Sequence, residues 1–331
     1  MTSVLIVRLT ALGDVVLTEP LARALRASLP GATVDLLTEA RLVSLLQASR
    51  AYDQVIGWDR RGADAGIRGL FRVRSRLGTY DLVIDLQNKL RTRALLWLLR
   101  AGRRVTLAKR SPWAAIEALF GRDPPLVGRH AIDLYLDAAR RAVPALPAPV
   151  RTEWPIERRR GGRLFGLGAG TTHATKRWPL EHFVELARLL SARYPGARFV
   201  PIGGASDRAD LDALTRAIGP AQIDPRDVAA LDPIGLLEVL RELDVMISTD
   251  SGAAHMAQAI GVPTLVLFGP TSPERWGPRA APHRALSLKL YCSPCSNTGG
   301  PICPRRDHSQ ECLKALMPAD VAQAVFAEID A

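Results

Sequence analysis

Apolar and polar positions follow two rhythms along this chain, and the rhythms take turns. Short apolar runs at residues 4–9, 33–37, 54–58, 82–86 and 104–107 read as buried strands, and the longer stretches between them carry a helical period. The first helix, 19–27, is closed by Pro30 and Gly31. A second series follows, with strands at 164–168, 198–202, 244–248 and 264–268. Such alternation predicts an α/β fold: parallel sheets with helices on both faces. Between the two series come Pro144, Pro147, Pro149 and Pro155, then an arginine- and glycine-rich stretch at 158–163, which reads as a linker. Two Rossmann-like, doubly wound domains are predicted, 1–155 and 156–331, facing a central cleft, the second ending in a cysteine-rich loop and a helix. No internal repeat of roughly 20 to 50 residues is visible.

A length of 331 residues suits two domains, each able to bury its own core. The apolar stretches, 94–99 for instance, are cut by arginine well before the ~20 residues a membrane span needs. The first 16 residues carry Arg8 and Asp14 where a secretory leader stays uncharged, so they read as a first strand of a cytoplasmic protein. Lysine and arginine (44) exceed aspartate and glutamate (33), giving a formal charge of +11 that attracts phosphates, anionic lipid or nucleic acid. Nucleic acid is the weakest of the three, because aromatics are 5% of the chain and show no base-stacking pattern.

Ligands of open parallel sheets bind beyond the carboxyl ends of the strands, and three segments there carry chemistry. In 244–257 a buried strand runs into a small-residue helix start, Asp250-Ser251-Gly252-Ala253-Ala254-His255. Its first amides and the helix dipole suit a diphosphate; the plainer reading makes Asp250 or Ser251 a cap and His255 a packing residue. In 166–181, glycines and the hydroxyls of Thr171, Thr172 and Thr175 precede Lys176 and then Trp178-Pro179, a fitting phosphate cradle. It is neither a Walker loop nor a dinucleotide fingerprint, which disfavours an NAD-dependent oxidoreductase; a solvated loop with a surface lysine is the competing reading. In 8–20, Asp14 follows Gly13 at the end of the first strand, where it serves either as proton acceptor for a hydroxyl or as a turn residue.

These segments, in this order, resemble glycosyltransferase family 9, the heptosyltransferases of lipopolysaccharide core assembly. The pieces are Gly13-Asp14 through Pro20, Tyr80 through Asp85 to Gln87, Lys176 through Pro179, Thr249 through His255, and Leu267 through Pro273. The resemblance implies a GT-B fold, an ADP-linked heptose donor held by the C-terminal domain, and inversion at the anomeric carbon without a cofactor for the chemistry. By that likeness Asp14 is the general base. Thr171, Thr172 and Lys176 face the diphosphate or sugar, and Asp250, Ser251, Gly252 and His255 line the donor pocket. Asp207, after Gly203-Gly204, stands where the family places an acidic residue for the ribose hydroxyls. The acceptor implied is an acidic, phosphorylated glycolipid, so the positive charge fits peripheral attachment at the inner face of the cytoplasmic membrane. Lys89 and Arg91, with Arg93, are candidates for acceptor anions, against the reading of a solvated basic helix face.

All four cysteines fall in one stretch, Cys292, Cys295, Cys303 and Cys312, with the spacing of a closed four-thiolate site for structural zinc or iron. Four reduced thiols are the competing reading. Two other classes remain beside the transferase: a GT-B-like nucleotide-sugar epimerase, which needs further acid and base groups, and a non-catalytic sugar-nucleotide-binding relative.

Overall fold

The computed structural model describes residues 2–108, 128–149, 151–159 and 162–329. The chain divides into two compact units, Met1–Pro112 with Ala131–Ile156, and Trp113–His130 with Glu157–Ala331. Among the described residues no helix is long and apolar enough to cross a membrane.

In the first unit, β1 (Ser3–Val7), β2 (Thr33–Glu39), β3 (Val55–Trp58), β4 (Tyr80–Asp85) and β5 (Ala101–Thr106) form a wholly parallel sheet in the order β3-β2-β1-β4-β5. The central strand β1 is an unbroken apolar run, Val4 to Val7 all fully buried, as a strand covered on both faces requires. α1 (Leu12–Val16), α2 (Glu19–Ser28) and α3 (Val43–Ala48) lie between the first three strands. α4 (Gly66–Arg76) and α5 (Leu90–Leu98) precede and follow β4. Leu5, Val7 and Val83 from the sheet, Val73 from α4 and Leu95 and Leu96 from α5 share one core cluster, so α4 and α5 cover the same sheet face.

The second unit repeats the scheme with another strand order. β6 (Leu164–Gly168), β7 (Arg198–Ile202), β8 (Val245–Thr249), β9 (Thr264–Leu267) and β10 (Arg284–Leu286) run parallel in the order β10-β9-β8-β6-β7. The helices Leu180–Arg193 and Pro318–Ile329 pack against one another, and their buried residues join Phe165, Leu167, Phe199 and Ile247 of the sheet in the unit's main core. β10 escapes the sequence pattern because it is three residues long and none of them is buried. β5 begins earlier than expected because Gly102 to Arg104, on the sheet edge, are exposed and carry no apolar signal.

Strand order locates the sites. Each sheet reverses direction once, between β1 and β4 in the first unit and between β6 and β8 in the second, and a parallel sheet binds ligands beyond the carboxyl ends of the strands at such a reversal. The register keeps these ends level: Val7 pairs with Asp85, and Gly168 with Ser248.

Candidate active site

In the first unit Asp14 sits on α1 just beyond β1, with its side chain 17% exposed. One carboxylate oxygen takes the Arg8 guanidinium at 2.5 Å and the Tyr135 hydroxyl at 2.9 Å. The other accepts the Ala11 amide at 3.1 Å. Asp14 is therefore a helix-start residue, as the plainer reading had it, and its carboxylate is also clamped by two side chains from elsewhere. Arg8 lies over the Tyr135 ring and donates to the Leu86 carbonyl at 2.5 Å, which ties the clamp to the end of β4.

The β4 end explains why the Asp85-Leu-Gln87 stretch is there. Buried Asp85 accepts the amides of Gln87 and Asn88 and the Thr92 hydroxyl at 2.8 to 2.9 Å, shaping the turn into α5. The Gln87 side-chain oxygen accepts the amides of Leu9 and Thr10 at 3.0 and 3.3 Å, holding the loop that carries Asp14. Lys89 and Arg91 start α5 from this loop, exposed, with no side-chain hydrogen bond or ion pair among the described residues.

In the second unit the loops after β6 and β8 converge on a buried ion pair. The Lys176 ammonium lies 2.8 Å from one Asp250 oxygen, with side chains 13% and 9% exposed. The Thr271 hydroxyl donates to the same oxygen at 2.8 Å, and the His255 ring nitrogen lies 3.7 Å from the other. Burial works against the Asp250 charge, but Lys176 first and His255 second outweigh it and hold the carboxyl well below its usual range. Asp250 thus keeps its charge and fixes two cationic or ionisable neighbours.

Beside it, Ser251 caps the helix Gly252–Ala259 by accepting the Ala254 amide at 3.2 Å, and its hydroxyl meets Ser248 at 3.0 Å. The first-turn amides of Gly252 and Ala253 have no acceptor among the described residues, as expected at a helix start. Thr172 is exposed, while Thr171 is buried with its oxygen facing the His173 amide at 3.5 Å. Asp207 is buried and accepts the Gly204 amide at 3.0 Å; Arg177 lies 3.9 Å from its other oxygen. A Cβ on Gly170 would stand 2.3 Å from the Gly203 Cα and 2.6 Å from an Asp207 oxygen, so glycine is needed where the loops after β6 and β7 cross.

The Lys176 loop is gripped from the cysteine-rich stretch. Thr175 exchanges three hydrogen bonds with Gly300, at 2.8 to 3.1 Å, so its hydroxyl serves this contact instead of the phosphate cradle anticipated from sequence. The Gln310 amide donates to the carbonyls of Ala174, Thr175 and Arg177 at 3.0 to 3.1 Å. Trp178, fully buried, donates to the Leu316 carbonyl at 2.9 Å.

Cys292, Cys295, Cys303 and Cys312 are free and half-buried. Burial and the neighbouring thiols push Cys295 up, and the same causes push Cys312 to about 11, so the four are neighbours. Among the described residues, however, no three His, Cys, Asp or Glu side chains gather closely enough to hold a metal ion as they stand. No chemical step is assigned to one.

Sequence reasoning missed Arg8, Tyr135, Gln87, Thr271, Gly300 and Gln310. Gln87 and Thr271 lie inside stretches that carried the family resemblance, which was the only available signal. Tyr135, 121 residues from Asp14, left none.

Two parallel α/β units, each with polar side chains gathered at its reversal point, are the architecture of the GT-B fold. The family model "Glycosyltransferase family 9 (heptosyltransferase)" matches residues 70–302, well over half of the chain, and the protein belongs to that family. It is similar to lipopolysaccharide heptosyltransferase 1 of Pseudomonas aeruginosa, 29% identical over 313 residues that cover 88% of this chain and 85% of that one. Its fold is similar to a family 9 glycosyltransferase of Veillonella parvula (TM-score 0.77, 22% identity, 100% and 98% of the two chains covered). It also resembles the Escherichia coli heptosyltransferase WaaC solved with ADP (TM-score 0.72, 22% identity, 99% and 100% covered).

Proposed function

We propose that the chain transfers a heptose, with inversion, from an ADP-linked donor to an acidic glycolipid such as lipopolysaccharide core. The observation that carries this reading is the Asp14 carboxylate, held by Arg8 and Tyr135 at the reversal point of the first sheet. The first unit, 1–155 in outline, binds the acceptor, with Lys89 and Arg91 meeting its anionic groups. The second, 156–331, binds the nucleotide sugar. The acceptor hydroxyl oxygen attacks the anomeric carbon as the bond to the diphosphate breaks, and its proton passes to Asp14. A carboxylate is a weak base towards a resting hydroxyl, but the hydroxyl acidifies as it attacks, so late transfer suffices. A single displacement inverts the centre and needs no covalent intermediate.

The leaving diphosphate takes countercharge from Lys176, whose ammonium points one N–H at Asp250 and keeps two further donors. The Gly252 and Ala253 amides and the helix dipole add to it. Asp250 itself would repel a diphosphate, so its role is to hold Lys176 and His255. Thr171 and Thr172 lie on the loop for the diphosphate or sugar, and Asp207 is assigned to the ribose. The Asp14→Asn variant should bind ADP with wild-type affinity and lose transfer by at least about 100-fold. Transfer persisting in that variant, read by mass spectrometry of the glycolipid product, would remove the base assignment.

The acceptor places the protein on the cytoplasmic side, at an anionic membrane surface. From their spacing in the sequence, we also infer that Cys292, Cys295, Cys303 and Cys312 bind a structural zinc or iron ion, for which the four thiols would have to draw closer than they stand. Elemental analysis of reduced, purified protein should find about one ion per chain; a metal-free, fully folded preparation would dismiss it.

A further inference from the structure

The outward layer of the first unit, formed by α4 and α5, is unlike an ordinary solvated surface. Both helices bury one face in the same core, through Leu70 and Val73 on one and Leu95 and Leu96 on the other. The Arg74 guanidinium donates to the Leu98 carbonyl at 2.9 Å and joins their carboxyl ends. Their other faces therefore form one continuous outer layer. On it Ile67 (76% exposed) and Phe71 (57%) sit one helical turn apart on α4. On α5, Leu90 (85%) and Trp97 (83%) stand on either side of exposed Ala94. Four large apolar side chains in one layer are a patch, not scattered exposure.

The exposed charge around them is basic; the carboxylate beside Arg72, Asp64 at 3.8 Å, is buried. Arg68, Arg72, Arg91, Arg93 and Arg100 are all exposed, and neither 65–80 nor 86–108 contains an aspartate or glutamate. Arg68 makes no ion pair among the described residues. A second copy of the chain is a poor partner for this face, because a symmetric pair would set arginines against arginines with no carboxylate between them. A bilayer rich in anionic lipid fits both properties: aromatic and aliphatic side chains enter the headgroup boundary while the guanidinium groups meet phosphates.

We propose that the α4–α5 face docks the protein onto an anionic bilayer through Ile67, Phe71, Leu90 and Trp97, with Arg68 and Arg72 as electrostatic partners. The proposal rests on the reading of the acceptor as a glycolipid, and it assigns a surface to the membrane that reading requires. Lys89 and Arg91, at the beginning of α5, would then stand where the docked layer meets the acceptor-binding loop.

The test is co-sedimentation of the full chain with vesicles of phosphatidylethanolamine and phosphatidylglycerol, and with vesicles of phosphatidylcholine alone. The wild-type protein should pellet with the anionic vesicles and be released as salt rises. Phe71→Ser with Trp97→Ser should weaken binding by about tenfold or more, and Arg68→Gln with Arg72→Gln should weaken it and flatten the salt dependence. Thermal melts confirm that each variant is folded. Transfer to a lipid-free, water-soluble acceptor should stay at the wild-type rate in all of them. Equal pelleting on both vesicle types, or undiminished pelleting of the variants, overturns the proposal. So does a dimer in sedimentation velocity that the Phe71/Trp97 variant dissociates, because the face would then be a protein interface. A wild-type protein that docks but transfers nothing to any acceptor refutes the transferase reading and leaves the docking surface standing.

Discussion

Replacing Lys176 by methionine isolates the buried pair at the centre of the second unit. At 2.8 Å the attraction between Lys176 and Asp250 is about 6 kcal/mol at an effective dielectric of ~20, before either group's desolvation is subtracted. Breaking a buried pair by removing one partner costs ~3–5 kcal/mol, most of it from the charge left behind. Thr271 and His255 still hold Asp250, which puts the expected loss near the lower end, ~3 kcal/mol, or about 6–12 °C in the melting temperature of a unit this size. Asp250→Asn in the same background removes the stranded charge, so the double variant should recover ~2 kcal/mol relative to the sum of the single changes. The sign with pH follows from the lowered Asp250 pKa. Its contribution is complete above the ordinary carboxylate range and fades as pH falls through the folded-state value, so the cost of Lys176→Met shrinks in acid. Denaturant unfolding of the four proteins at neutral and acid pH, fitted transition by transition, measures all of this. Calorimetric ADP titration separates structure from function: both proteins lacking Lys176 should bind ADP weakly, including the one whose stability is recovered. Additive single changes, or a Lys176→Met cost below about 0.5 kcal/mol, would refute the buried-pair argument.

Two further outcomes follow from neighbouring groups. Tyr135→Phe removes one donor to Asp14 and should lower kcat by roughly 3- to 30-fold with little change in the donor KM; a change confined to KM would mean that Tyr135 does not position the base. Glu19 is 1% exposed, and burial raises its pKa from 4.5 to about 7 despite Arg23 at 2.8 Å. A raised value means its contribution is complete below about 4.5 and is lost as pH rises through 7, up to ~3 kcal/mol, so Glu19→Gln should flatten the pH dependence of denaturant midpoints between pH 5 and 8. An unchanged dependence would show that Arg23 neutralises Glu19 fully.

What the sequence disclosed follows from the range of the interactions involved. Strands such as β1 and β8 announce themselves because Val4 to Val7 and the whole of β8 are buried, and the helix start at Ser251 because a cap needs only its own turn. The edge strand β10 has no such pattern. Strand order is set by contacts across the sheet, so the alternation predicted two parallel sheets without saying where each reverses. Arg8 is close in sequence to Asp14 and Tyr135 is far, yet neither could be assigned, since the clamp exists only after β1 and the helix Ala131–Arg140 have packed. The cysteine spacing was plain, but the hold of Gly300 and Gln310 on the Lys176 loop was not: it joins backbone groups 125 and 133 to 136 residues away.

That hold gives the cysteine-rich stretch leverage out of proportion to its distance from any reacting atom. Gly300 lies between the second and third thiols and Gln310 two residues before the fourth, so an oxidised or alkylated cysteine would tug on the same few carbonyls that set the height of one ammonium group. If Lys176 meets the diphosphate as proposed, shortening this excursion should weaken ADP binding in a calorimetric titration, and unchanged binding would show that the grip does not reach the ammonium.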